Sequence, residues 1–179
     1  MPKQKAKSIH PVAHIAREIL YALVRHPDEL KINDRLIGTI LAIEVEAHEE
    51  DRPKLIGSQG KHIGAFTRIL KAIGIRHGLK VVVDLIVPPN PPKHSHQQPF
   101  TPNPNWQSEW IARILRPVCD QLLGRHDYCE HKLKNMTVYQ LGFRQWEMPG
   151  DVLAALDIMF EAIGYRQGHV VHITGPERK

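Results

Sequence analysis

Apolar residues at Val12, Ile15, Ile19, Leu20, Leu23 and Val24 recur at three- and four-residue spacing, which predicts a helix over Pro11 to Arg25 with one buried face. His26-Pro27-Asp28 stops it. Thr39 to Ala47 is β-branched and alternates towards its end, as a strand buried on at least one face does. Pro53 to Ile56 suits a short helix. Lys61 to His77 repeats apolar residues at Ile63, Phe66, Ile69, Leu70 and Ile73, predicting a long helix that ends at Gly78, and Lys80 to Val87 reads as a second strand.

The pattern then breaks. Seven of the 14 prolines fall between Pro88 and Pro104. Such a stretch propagates no helix and gives few donors to a sheet, so residues 88–105 are expected to form a semi-stiff linker between lobes at 8–87 and 106–175. At an offset of 90 residues, Ala72-Ile73-Gly74-Ile75-Arg76-His77-Gly78 faces Ala162-Ile163-Gly164-Tyr165-Arg166-Gln167-Gly168, and Val81-Val82-Val83 faces Val171-His172-Ile173. Ile15-Ala16-Arg17 likewise matches Ile111-Ala112-Arg113 near the lobe starts. Agreements in the same order point to an internal duplication, against a chance likeness of two amphipathic helices.

Between the short and the long helix of the first lobe stands Lys54-Leu55-Ile56-Gly57-Ser58-Gln59-Gly60-Lys61-His62. A Gly-x-x-Gly turn permits positive φ and removes the β-carbons that would hold another backbone at a distance. N–H groups at the start of the following helix then face an approaching phosphate, and Lys61 adds a positive charge there. A plain helix–turn–helix joint is the competing reading of the same glycines.

This run, with Leu23-Val24-Arg25-His26-Pro27-Asp28-Glu29-Leu30 and Lys71 to Val83, resembles the small bacterial KH-domain RNA-binding proteins of the KhpA type. The resemblance implies an α+β fold. Residues 8–87 would form a type II KH domain, in α-β-β-α-α-β order, with helices on one face of a three-stranded sheet. It further implies single-stranded RNA as partner, about four nucleotides of it clamped on the backbone side by the loop. On that likeness the RNA-binding residues are Lys54, Ile56, Gly57, Ser58, Gln59, Gly60, Lys61, His62 and Arg68, with no cofactor. Ile43, Val45, Ile56 and Ile63 are candidates for apolar contact beneath the bases, and each is equally a candidate for the core.

In the second lobe, Glu147-Met148-Pro149-Gly150-Asp151 stands where the first has Gly57-Ser58-Gln59-Gly60-Lys61. One glycine remains and two acidic residues enter, so this loop would repel phosphate. Residues 106–175 therefore read as a degenerate KH-like α+β domain. It would serve packing, dimerisation or contact with another RNA-binding protein, and its aromatic residues leave an auxiliary RNA contact open.

Charge supports the asymmetry. The net +5 resides wholly in residues 1–100, with 15 Lys and Arg against 10 Asp and Glu; the remainder balances at 9 against 9. A positive excess favours polyanions. No apolar run approaches the roughly 20 residues of a membrane span. The basic arm at residues 1–7 precedes no apolar signal region, so a cytoplasmic protein is expected. Cys119 and Cys129 are too few for a disulfide framework, and with His126 and His131 they fit no standard zinc spacing, so no metal is expected. No nucleophile elbow, P-loop or paired carboxylate is present, so no enzyme is expected. The alternative function is a protein-interaction adaptor that uses KH folds to bind partners or itself.

Overall fold

A computed structural model describes residues 10–86, 100–124, 127–133, 136–142 and 148–176. The first half runs α1 (Pro11–Leu23), β1 (Lys31–Ile37), β2 (Ile40–Glu46), α2 (Arg52–Ile56), α3 (Lys61–Arg76) and β3 (Lys80–Leu85). β1 pairs antiparallel with β2, and β2 pairs parallel with β3. The second half runs α4 (Ser108–Leu123), β4 (Asp127–Leu133), β5 (Met136–Gly142), α5 (Gly150–Arg166) and β6 (Val170–Thr174), with the same strand order and directions. The fold is α+β, with a three-stranded sheet and helices in its first part and a second sheet–helix domain after it.

Local chemistry places each element. Pro11 opens α1, and His10 caps it by accepting the Val12 N–H on Nδ1 at 3.2 Å. Arg17 fastens α1 to β1 by donating to the Ile32 carbonyl at 3.0 Å and to Asp34 at 2.9 Å. Leu41, Ile43 and Val45 bury one face of β2 in the core cluster to which α1 and α3 also contribute. The expected strand at 39–47 and helices at 11–25 and 61–77 appear with ends trimmed by one to two residues, and β3 stops at Leu85, short of the expected Val87.

The buried residues of α3 are Ala65, Phe66, Ile69, Leu70, Ile73 and Gly74; those of α5 include Ala155, Leu156, Met159, Phe160, Ile163 and Gly164, each ninety positions on. The close helix–strand approach is also shared. A β-carbon on Gly74 would strike Val81, and one on Gly164 would strike Val171. Both helices end in the same turn, with Leu79 N–H on the Gly74 carbonyl at 2.8 Å and His169 N–H on the Gly164 carbonyl at 2.9 Å.

The two sets of helices meet. α3 packs on α5, α1 on α4, and each also touches the other's counterpart, so the apolar faces of both halves close over one continuous core. Of the expected linker, residues 88–99 lie outside the described residues. Residues 100–106 lie on the second half: Phe100 meets Tyr165 at 5.0 Å between ring centroids, Asn103 N–H donates to Gly168 at 2.9 Å, and Trp106 stacks on His169 at 3.6 Å.

Candidate nucleic-acid interface

The Gly57–Gly60 turn is held from both sides. Gly57 N–H closes α2 on the Pro53 carbonyl at 2.8 Å, after which Gly57 takes φ 71°, Gln59 φ 53° and Gly60 φ 76°. At Gly57 the absence of a side chain is required twice, because a β-carbon there would lie 2.6 Å from the His62 ring and 2.8 Å from its backbone nitrogen. His62 itself donates from Nδ1 to the Lys54 carbonyl at 2.6 Å, tying the start of α3 to α2.

The consequence is a projecting turn. Ser58, Gln59 and Lys61 are exposed, while Lys54, Ile56, Gly57, Gly60 and His62 are half-buried behind them. The N-cap of the 16-residue α3 is Gly60, which supplies no side-chain acceptor, so the positive end of that helix opens beside the turn. Arg68 lies two turns along α3, and its Nε stands 3.4 Å from Asp151 of α5. Ile43 and Val45 belong to the core, at 0% and 1% exposure, and offer no surface to a base. Ile56 and Ile63 remain partly accessible.

A support absent from the sequence reading lies behind α2. Asp51 is fully buried, and its carboxylate accepts the Arg25 and His26 N–H groups at 2.9 Å each and the His26 imidazole at 3.0 Å. Burial alone would raise this carboxyl; the two backbone donors and His26 outweigh it and hold it below the ordinary aspartate value. An aspartate ahead of a Pro-containing first turn ordinarily signals a helix cap, yet Asp51 makes no cap bond and turns to the end of α1. The Lys54 ammonium is lowered by burial and by the Arg25 guanidinium, against the pull of Asp51, and Arg166 of α5 lowers it further.

At the corresponding place in the second half, Met148 is buried, Pro149 caps α5, and Asp151 occupies its first turn; Glu147 lies outside the described residues. Among the described residues, Cys119, Cys129 and His131 do not gather. Cys119 is wholly buried in α4, where burial pushes its thiol up to about 12, whereas Cys129 and His131 lie exposed on β4 and His126 is outside the described residues. Among the described residues, the side chains that do gather with metal-ligand spacing are His26, His48 and Glu50. Also among the described residues, no helix is long and apolar enough to cross a membrane.

Residues 13–85 match the family model described as KhpA/KhpB, KH domain. The RNA-binding protein KhpA of Halalkalibacterium halodurans is 32% identical over 72 residues, 40% of this chain and 95% of the relative. KhpA of Clostridium perfringens is 34% identical over 68 residues, 38% of this chain and 91% of its own. KhpA of Caldanaerobacter subterraneus is 29% identical over 75 residues, 42% of this chain and the whole of the relative. Through its first half, which spans nearly the full length of these relatives, the chain belongs to the KhpA/KhpB KH-domain family.

Proposed function

We propose that this protein binds single-stranded RNA through the Gly57–Gly60 turn, without catalysis, in bacterial-type RNA metabolism in the cytoplasm. The observation that carries the reading is the turn itself: two glycines at positive φ present Ser58, Gln59 and Lys61 beside the uncapped start of a 16-residue helix. That arrangement suits a sugar–phosphate backbone lying close to the protein main chain. Lys54, Ile56, Gly57, Ser58, Gln59, Gly60, Lys61 and His62 form the contact surface. Arg68 joins it only at the margin, because its guanidinium already faces Asp151. The relatives named RNA-binding proteins, matched over nearly their whole length, support the same reading.

Residues 106–175 form, in this proposal, a degenerate KH-like copy joined through the Pro-rich segment 88–105. The shared strand order, the Gly74 and Gly164 contacts and the matching helix-end turns support a tandem duplication of a type II KH unit. Met148, Pro149 and Asp151 leave this copy without the means to hold phosphate.

The test is binding of a fluorescent single-stranded RNA pool at two salt concentrations, wild type against a Ser58→Asp, Gln59→Asp double variant. Asp tolerates the left-handed backbone at position 59, so the turn is expected to survive. The variant should lose most of its affinity and show a shallower salt slope. A folded wild type that binds no RNA, or a variant that binds equally well, moves the function to the adaptor reading. One observation favours that second reading: Leu36, Ile37 and Ile40 stand 55%, 58% and 39% exposed where β1 turns into β2.

A further inference from the structure

We propose that His26, His48 and Glu50 bind a divalent transition-metal ion of the zinc type, which pins the end of α1 to the segment that leads into α2. The site is separate from the glycine turn, and the inference does not rest on the RNA-binding reading.

The three residues come from two loops that the fold brings side by side. His26 follows α1, whereas His48 and Glu50 lie between β2 and α2, where the Asp51 and Arg52 N–H groups both donate to the His48 carbonyl, at 3.0 and 3.2 Å. The His26 and His48 rings meet at 4.1 Å between centroids, tilted by 41°. Donor atoms of His26, His48 and Glu50 all fall within 4.8 Å of one another. Ligands about 2.0–2.2 Å from one tetrahedral zinc ion stand roughly 3.3–3.6 Å apart, so the site has to close by at most about 1.5 Å. Glu50 is exposed and its side chain can make that movement.

His26 is already set for a metal. Its Nδ1 stands 3.0 Å from the buried Asp51 carboxylate, a partner that assigns the ring proton to Nδ1 and leaves a lone pair on Nε2. A carboxylate behind a histidine in this way fixes the ring and strengthens it as a ligand. Nε2 faces Glu50 Oε2 at 3.9 Å, too far for a hydrogen bond and with two acceptors opposed. A cation between them resolves that opposition. His48 accepts the Glu50 N–H on Nδ1 at a long 3.3 Å, and its Nε2 stands 3.9 Å from Glu29 Oε1. Binding at Nε2 moves the His48 ring proton to Nδ1 and gives up only that long bond, while Glu29 brings a further carboxylate within reach.

Two imidazoles with carboxylate oxygens form a donor set for zinc-type ions, whereas magnesium and calcium take oxygen ligands. Both rings are half-buried and both glutamates exposed, so the ion can enter from solvent and keep water in its remaining position. None of these residues belongs to the cysteine–histidine run at 119–131. The sequence conceals the site because β1 and β2 separate its two histidines.

The experiment uses the full chain, freed of metal by a chelator, with zinc chloride as the probe in isothermal titration calorimetry and thermal melts. Wild type should take up one tight zinc per chain, and zinc in about hundredfold excess over its dissociation constant should raise the melting temperature by about 5 °C. H48Q and E50Q should each bind at least about tenfold more weakly and lose most of that rise. A His94→Gln, His96→Gln, Cys129→Ser variant, which removes donors elsewhere, should keep both. Glu50 is exposed, so E50Q tests the site without disturbing the core. Zinc that binds H48Q and E50Q as tightly as wild type sits elsewhere, and the inference fails; loss of zinc in the triple variant alone has the same meaning. A wild type that takes up no zinc leaves His26 an ion-pair histidine between Asp51 and Glu50 and overturns the inference too. The RNA-binding reading is untouched by each of these outcomes.

Discussion

His62 and Lys54 are joined across the turn they flank, the imidazole Nδ1–H meeting the Lys54 carbonyl at 2.6 Å. The bond closes a ring around Gly57–Gly60, so the shape of the projecting loop depends on a side chain outside it. His62→Ala should leave the carbonyl without this donor and cost about 1–3 kcal/mol. Urea denaturation followed by circular dichroism measures it. A loss near zero would mean that water replaces the imidazole freely.

Two glycines seven positions apart should respond in opposite directions. Gly57→Ala combines φ 71° with a clash against the His62 ring and backbone, and should destabilise by at least about 2 kcal/mol. Gly64→Ala lies inside α3 with open space around its β-carbon, and should stabilise by roughly 0.5–1 kcal/mol. Thermal melts of the pair decide it; a stabilising Gly57→Ala would refute the geometry given for the turn.

Asp51 links acidity to folding. Its folded carboxyl titrates below the unfolded value of 3.8, so the stability it confers is complete above that value and is lost as pH falls through the folded one. Wild type should therefore weaken as pH falls through and below 3.8. Asp51→Asn should be less stable at pH 7 and show a flatter acid limb, as seen by denaturant titration at each pH. Parallel limbs would place the acid sensitivity in other carboxylates.

The thiols should separate cleanly. Cys119 is fully buried with its thiol pushed up to about 12, so a disulfide reagent at pH 8 should modify Cys129 alone in the folded protein. Cys119 should react only after denaturant is added. Equal rates for both, measured by absorbance, would require α4 to open readily.

The first half was largely legible from the chain because its signals are local: spacing along α1 and α3, β-branching in β2 and β3, and glycines where the backbone needs positive φ. Pairings formed by docking were not. Arg68 reads as a free cation until α5 brings Asp151 to it, and Asp51 reads as a cap until α1 presents Arg25 and His26 N–H groups. Ile43 and Val45 were ambiguous because alternation shows that a strand has two faces, not which one is covered. The contact between α3 and α5 escaped for a similar reason. An amphipathic stripe announces that it will be buried without naming its partner.

That contact frees the two halves from having to be alike. Were the same helical faces brought together by identical chains, positions 61 and 151 would be a single position, and whatever residue stood at the mouth of the glycine turn would also have to meet the arginine opposite. Here Lys61 keeps its positive charge beside the turn while Asp151 accepts Arg68 at 3.4 Å. Covalent joining also makes the meeting of the faces independent of protein concentration, so dilution that would separate a pair of chains leaves this arrangement whole.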